Sequence, residues 1–349
     1  MVSFGGSVGR AIVAFVFILV ALFGIAPITA WSTLALWYRF PGPDWARALV
    51  AGVFALLGVI TIGALFSRRR WPVVAIFAIA FAGLLLWWST ITPPHDADWQ
   101  PDVAYQTTGD LNGDILTLSH VRNFDWKSET AATERWEKRS YDLSKLKTLD
   151  LFLAYWAGPE MAHVIMSFGF ENGDYLAWSV EVRRAKGGGF SPVADAFRNH
   201  TIIYLATTER DSVRLRSNVR GEDVRLYRLN TPPDAARLLL LEYVAEANEL
   251  AEQPKWYNSI TANCATAVFK LVRAAGGSFP WDWRLIVNGF LPGYLYEHGA
   301  VDTTIPLQEL IKRASISARA RAADDSPDFS KLIRVGVPVP APRPAEASD

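Results

Sequence analysis

The sequence predicts an α+β domain carried on three membrane-spanning helices. Three observations predict it. Charge-free apolar runs are confined to the first 92 residues, short apolar runs alternate with turn signals from about 102 to 230, and helical spacing takes over after that. At 349 residues the chain is long enough for more than one structural unit.

The apolar runs are 11–30, 48–66 and 71–92, and none holds a charged residue. Each is close to the roughly 20 residues a helix needs to cross the hydrocarbon core. Trp31, Trp37, Tyr38, Trp45, Trp71, Trp87 and Trp88 sit at their edges, where amphipathic rings favour the headgroup region. Buried helices of a soluble protein would show amphipathic faces, and these runs are apolar all round. A cleavable signal peptide would account for the first run alone. Ile28 is also too bulky for the small residue that cleavage after Ala30 would require. Arg10 and the Arg68-Arg69-Arg70 loop point the N-terminus and that loop to the cytoplasm, against Arg39, Arg47 and Asp44 in the other loop. The expected placement is therefore a bacterial inner membrane, multi-pass, with everything after about residue 93 in the periplasm.

The formal charge of zero hides a split. Residues 1–94 hold six of the 35 basic residues and one of the 35 acidic ones, leaving 29 against 34 beyond them. An outer domain with an acidic excess excludes a nucleic-acid footprint, which would be a clustered basic surface.

The expected organisation is an anchor over 1–94, an outer domain over 95–334 and a disordered tail over 335–349. The stretch from Pro93-Pro94 to Asp102 reads as a linker, and the tail is rich in Pro and Ala without periodicity. Strands are expected at Asp114–Val121, Met161–Phe170, Tyr175–Arg183, Thr201–Thr207 and Ser212–Arg216. Residues 234–252 read as a helix capped by Asp234, and 264–275 as another closed by Gly276-Gly277. Gly187–Gly189 leads to no clear helix and reads as a turn, not a phosphate loop.

Cys264 is the single cysteine, so it makes neither an intrachain disulfide nor a metal site alone. It is either a buried structural thiol or a nucleophile. Its setting favours the second: Asn258, Thr261 and Asn263 mark a turn and helix start before it, and an apolar helix follows. Backbone N–H groups and the helix dipole at that position favour thiolate, and the same groups can hold an oxyanion.

A base is then needed from His95, His120, His163, His200 and His298. His95 lies in the linker and His298 at a helix end. His163 opens a strand that turns through Glu171–Asp174 into the next. Matching the apolar positions Val164, Met166, Phe168 and Phe170 with Leu176, Trp178, Val180 and Val182 puts His163 and Glu181 on the other face as direct or diagonal neighbours. Glu181 can then orient the imidazole, completing a Cys264–His163–Glu181 arrangement. The plainer alternatives make His163 structural and pair Glu181 with Arg183 or Arg184 on a solvated face. His120 and His200 stay open as bases.

A histidine on a strand ahead of a cysteine on a helix is similar to the permuted papain-like fold of lecithin:retinol acyltransferase relatives; NlpC-type peptidases have the cysteine first. More closely, the chain resembles the Lnb-type periplasmic domain family from about Trp99 to Ile333. The matching stretches are VRNFDW (121–126), RWEKRSYDL (135–143), AHVIMSFGF (162–170), ERDSVRLRSNVRGEDVRLYRL (209–229) and YNSITANC (257–264). The resemblance implies a permuted papain-like (NlpC/LRAT-like) domain acting in lipoprotein N-acylation or a related acyl transfer. The acyl chain would move from a membrane phospholipid through a cysteine thioester to an amine acceptor such as a lipoprotein N-terminus. It carries over His163 and Cys264. Asn263, Asn258, Arg122 and Asn123 are candidate substrate-binding or oxyanion residues, Arg122 having sheet-bracing as its alternative. Ala262 stands where the family pattern expects a threonine, which weakens any role for a hydroxyl there. No metal or organic cofactor is expected. The same residue pair could serve a cysteine peptidase or amidase acting on cell-wall peptide, and a structural Cys264 would leave a non-catalytic envelope scaffold.

Overall fold

A computed structural model describes residues 4–278 and 280–341. The chain divides into two compact units, Met1–Pro93 with Ser191–Asn199, and Pro94–Phe190 with His200–Asp349. Segment 191–199, read from sequence as part of the outer domain, thus belongs with the helices. Residues 342–349 of the expected tail lie outside the described residues.

In the first unit, α1 (Phe4–Val20) and α2 (Ala26–Arg39) form one helix interrupted by a π-helical turn, Ala21–Ile25. It runs past the expected end at Ala30 because Ser32, Ala35 and Leu36 carry a buried face onward. Then come α3 (Asp44–Ala64) and α4 (Arg70–Ser89). A Cβ on Gly58 would lie 2.2 Å from the Thr29 hydroxyl, so α2 and α3 approach as closely as small residues permit. Three helices, Ile12–Arg39, Asp44–Ala64 and Arg70–Ser89, are long and apolar enough to cross a membrane. In segment 191–199, the short α5 (Pro192–Asp195) leads to Phe197, stacked on Tyr38 at 5.7 Å. Arg198 donates to the carbonyls of Trp88 and Ile91 at 2.6 and 3.1 Å, tying the segment to the end of α4 and the residues after it.

The second unit is built on a mixed sheet. Its strands are β1 (Thr108–Asn112), β2 (Ile115–Arg122), β5 (Trp136–Asp142), β6 (Leu146–Tyr155), β7 (Ala162–Phe170), β8 (Tyr175–Arg183), β9 (Thr201–Thr207) and β10 (Asp223–Arg228). A separate hairpin joins β3 (Asp125–Ser128) and β4 (Ala131–Thr133). The order is β1-β2-β9-β8-β7-β6-β10, with β5 also on β2; among the described residues only β2 and β9 run parallel. One face packs Val164, Met166, Phe168, Leu176, Trp178 and Val180 against α7 (Pro233–Glu252) and α8 (Cys264–Ala274). The opposite face packs Phe152, Ile165 and Ala177 against Val213, Ile316, Ala320 and Phe329. Both faces are therefore covered, and the fold is a mixed α/β layer structure. Val337, inside the expected tail, packs against this second cluster.

Two local expectations are corrected. Ser212–Arg216 is not a strand: Glu209–Arg214 is helix α6, passing into a π-helical turn at Leu215–Val219. Thr208 caps it by accepting from the Asp211 N–H, and its polar residues are buried in ion pairs that mimic strand alternation. Asp234 is not the cap of α7. Pro232 holds that position without a side-chain bond, and Asp234 lies in the first turn.

Candidate active site

The β7–β8 ladder runs from Ile165↔Ser179 to Gly169↔Tyr175. Continued by two residues, this register sets His163 directly opposite Glu181, the relation expected from the parity of the apolar positions. Beyond Ile165 the ladder stops, and the Val164 N–H bonds the Cys264 sulfur instead. Cys264 is the first residue of α8 and half-buried. The helix start is held by Asn263, whose Oδ1 accepts from the N–H groups of Ala265 and Thr266 at 3.0 Å each. The Thr266 hydroxyl closes the capping box by accepting from the Asn263 N–H at 2.9 Å.

The imidazole of His163 is buried and fully engaged. Its Nε2 lies 2.7 Å from the Ser179 hydroxyl and 3.1 Å from Glu181 Oε1. Ser179 donates its own proton to Glu181 Oε1 at 2.7 Å, so Nε2 must be the donor to Ser179. That leaves Nδ1 for the thiol of Cys264, with which the imidazole hydrogen-bonds. Arg216, from the π-helical turn, reaches the same Oε1 at 3.3 Å and is anchored behind by Glu222 at 3.2 Å.

The charges follow from these contacts. Burial pushes the Cys264 thiol up, but the His163 hydrogen bond and charge, with the Val164 N–H, bring it below its ordinary value. Burial and the Arg216 charge push His163 down, while Glu181 and the Cys264 hydrogen bond outweigh them and raise it. Glu181 is pushed up by burial, yet held well below the usual carboxylate range by His163 and Arg216. Proton transfer from thiol to imidazole is favoured at both ends, which is what a thiolate nucleophile with an adjacent acid–base requires.

Of the residues singled out from sequence, Cys264, His163 and Glu181 come together. Asn263 adjoins them as the cap, and it takes helix N–H groups that had been assigned to an oxyanion. The Cys264 N–H keeps no protein acceptor among the described residues. Asn258 folds the preceding turn, accepting from Ile260 and Thr261 at 2.9 and 3.0 Å. Arg122 and Asn123 do not line the site. Arg122 forms a buried two-point pair with Asp211 and so braces the sheet, and Asn123 bridges Glu137 and Thr208. His120 stacks on Tyr105 at 5.1 Å, away from the thiol pair. Ser179 and Arg216 were missed. Ser179 shares the parity of His163, which is the one signal that could have found it.

The loop closing this end of the sheet is pinned tightly. Asn288 exchanges two bonds with the Ala162 backbone at 2.9 and 2.7 Å, and Gly289 donates to the Glu160 carbonyl at 2.9 Å. A Cβ on Gly289 would fall 2.0 Å from the Pro159 carbonyl oxygen, so only glycine fits beside the turn before His163.

Residues 132–289 match the Lnb N-terminal periplasmic domain family. The matched Lnb-type segment holds Cys264, His163, Glu181, Ser179 and Arg216 together. It is narrower than the resemblance from Trp99 to Ile333, and VRNFDW with Arg122 and Asn123 falls outside it. The match lies after three helices that are long and apolar enough to cross a membrane. No curated protein and no solved structure matches it.

Proposed function

We propose that the protein is a thiol-dependent acyltransferase, and the observation that carries this is the thiol of Cys264 hydrogen-bonded at a helix start to a His163 imidazole held by Glu181 and Ser179. The Cys264 thiolate attacks the ester carbonyl carbon of a membrane phospholipid. The tetrahedral oxyanion is met by the Cys264 N–H. As the C–O bond to the lyso-lipid breaks, the His163 imidazolium gives its proton to the leaving oxygen, and the acyl group rests as a thioester. An amine, such as a lipoprotein N-terminus, then attacks. His163 takes its proton, the C–S bond breaks, and an amide and the thiolate result.

Lipid as donor is supported by the anchor, which concentrates the site at a bilayer. The topology proposed is three crossings of a bacterial inner membrane, with the Arg68–Arg70 loop cytoplasmic and the second unit periplasmic.

The test is acyl labelling of the purified full chain with a tagged phospholipid. Wild type should carry a label that hydroxylamine removes, and Cys264→Ala should carry none. Absence of label from wild type across several phospholipid donors would overturn lipid acyl transfer.

A further inference from the structure

Three loops border the Cys264–His163 pair: the β6–β7 turn, the turn into α8, and the segment ahead of residue 291. They are tied to one another and to the site. The third loop bonds the first through Asn288 and Gly289, Tyr155 donates to the Gly289 carbonyl at 2.9 Å, and Leu285 enters the core beneath α8. Yet these rigidly held loops turn large apolar side chains outward. Trp156, Ile260, Trp283, Ile286 and Phe290, with Phe190 from the connection between β8 and α5 added to them, are each between 40 and 66% exposed. They are organised rather than scattered: Trp283 packs on Phe290 at 5.4 Å and Trp156 on Phe190 at 6.0 Å. An exposed apolar surface of this kind marks a site of interaction.

We infer that this rim inserts into the headgroup–acyl boundary of the bilayer, so that Cys264 opens onto the lipid surface. Chain continuity identifies the occupant. The second unit begins at Pro94, directly after the last membrane-long helix, and Phe190 is the residue at which the chain leaves it for Ser191–Asn199 of the helical unit. The side chains are of the right class, since tryptophan prefers the interface and its aliphatic and aromatic neighbours the acyl side. Nothing described on the third loop calls for an anionic lipid, since Arg284 is bound to Asp282 at 2.8 Å and to Glu297 at 2.6 Å, while Glu160 on the β6–β7 turn adds an exposed carboxylate that has to stay at headgroup level. The inference rests on the acyl-transfer reading only for its purpose, which is to bring a lipid ester to the thiol without extracting the lipid.

The full chain carrying Cys264→Ser has no other cysteine, so single spin labels can be placed by Ile260→Cys, Trp283→Cys or Ile286→Cys, with Lys147→Cys as a control at the far end of β6. In phosphatidylcholine nanodiscs, labels at the three rim sites should lose several-fold in collision with a water-soluble nickel chelate and gain in collision with oxygen, relative to Lys147→Cys. Adding phosphatidylglycerol should not change their depth. Nickel access equal to the control at all three sites would overturn insertion, and so would depth that appears only with anionic lipid. Labels shielded from both reagents and coupled to one another would mean that a second copy covers the rim, which also overturns it. Immersed labels alongside a wild type that forms no thioester would leave this inference standing and remove the acyltransferase reading; the reverse pattern would do the opposite.

Discussion

Ser179 and Arg216 decide how the thiol behaves, though neither touches it. Ser179 relays the imidazole to Glu181, and Arg216 competes with that imidazole for the same carboxylate oxygen. Arg216 lowers His163 while Glu181 raises it, so the guanidinium limits how strongly the imidazolium is favoured. Alkylation of Cys264 by iodoacetamide should therefore rise with an inflection below the ordinary thiol value of 9.0. Arg216→Gln should move the alkaline loss of the His163 proton to higher pH and leave Glu222 only Arg220 at 3.9 Å, costing less than the roughly 3 kcal/mol of a buried charge left with no partner. The linkage signs differ within the site. Glu181, depressed from 4.5, contributes stability above that value that is lost as pH falls through its folded value. His163, raised from 6.5, contributes below that value and loses it as pH rises through the raised one. Rate-against-pH profiles for wild type and Arg216→Gln, with unfolding followed beside them, check both. An unmoved alkaline limb would deny Arg216 its positioning role.

Helix α8 is the element on which the chemistry depends, and its start is made by one side chain. Asn263→Ala removes two bonds to helix N–H groups and should cost about 1 kcal/mol. It should slow Cys264 alkylation as the first turn frays, and Asn263→Asp should restore the stability but not the alkylation rate, since Asp caps as well as Asn but sets a negative charge beside the thiolate. Thermal unfolding and alkylation rate on the same samples separate the two effects. This element was readable beforehand, as were β7 and β8. Asn263, Cys264 and the glycines at 276–277 are local signals, and the pairing of His163 with Glu181 follows from a period of two that any register slip would destroy. Helix α6 was not readable. Arg214 and Arg216 alternate with Val213 and Leu215 as strand residues would, and only their distant partners Asp324 and Glu181 reveal them as buried helix. Arg216 was lost to sequence reasoning with the helix that carries it. Arg122 was misplaced for the same reason, because its partner Asp211 lies on that helix.

Across the second unit, the sheet face opposite α7 and α8 is closed by the chain's last described stretch. Arg334 lies over the Tyr175 ring at 3.5 Å and binds Asp150 at 2.7 Å and Glu209 at 2.6 Å, where Glu209 also accepts from Ser167 at 2.5 Å. Both acids are buried, and Asp150 is shared with Arg228. Arg334→Ala should cost about 3–5 kcal/mol, because breaking a buried pair leaves an uncompensated charge. A lowered denaturation midpoint with unchanged thiol alkylation in the folded protein is the expected result; an unchanged midpoint would show that the clamp contributes nothing. Glu209 is separated from Arg334 by 125 residues and has no other cationic partner among the described residues. At roughly 5–20 residues per second, a growing chain carries that acid for about 6–25 s before its counter-ion has been synthesised. The domain therefore cannot mature strand by strand as it emerges, and its final packing waits for the arrival of residue 334.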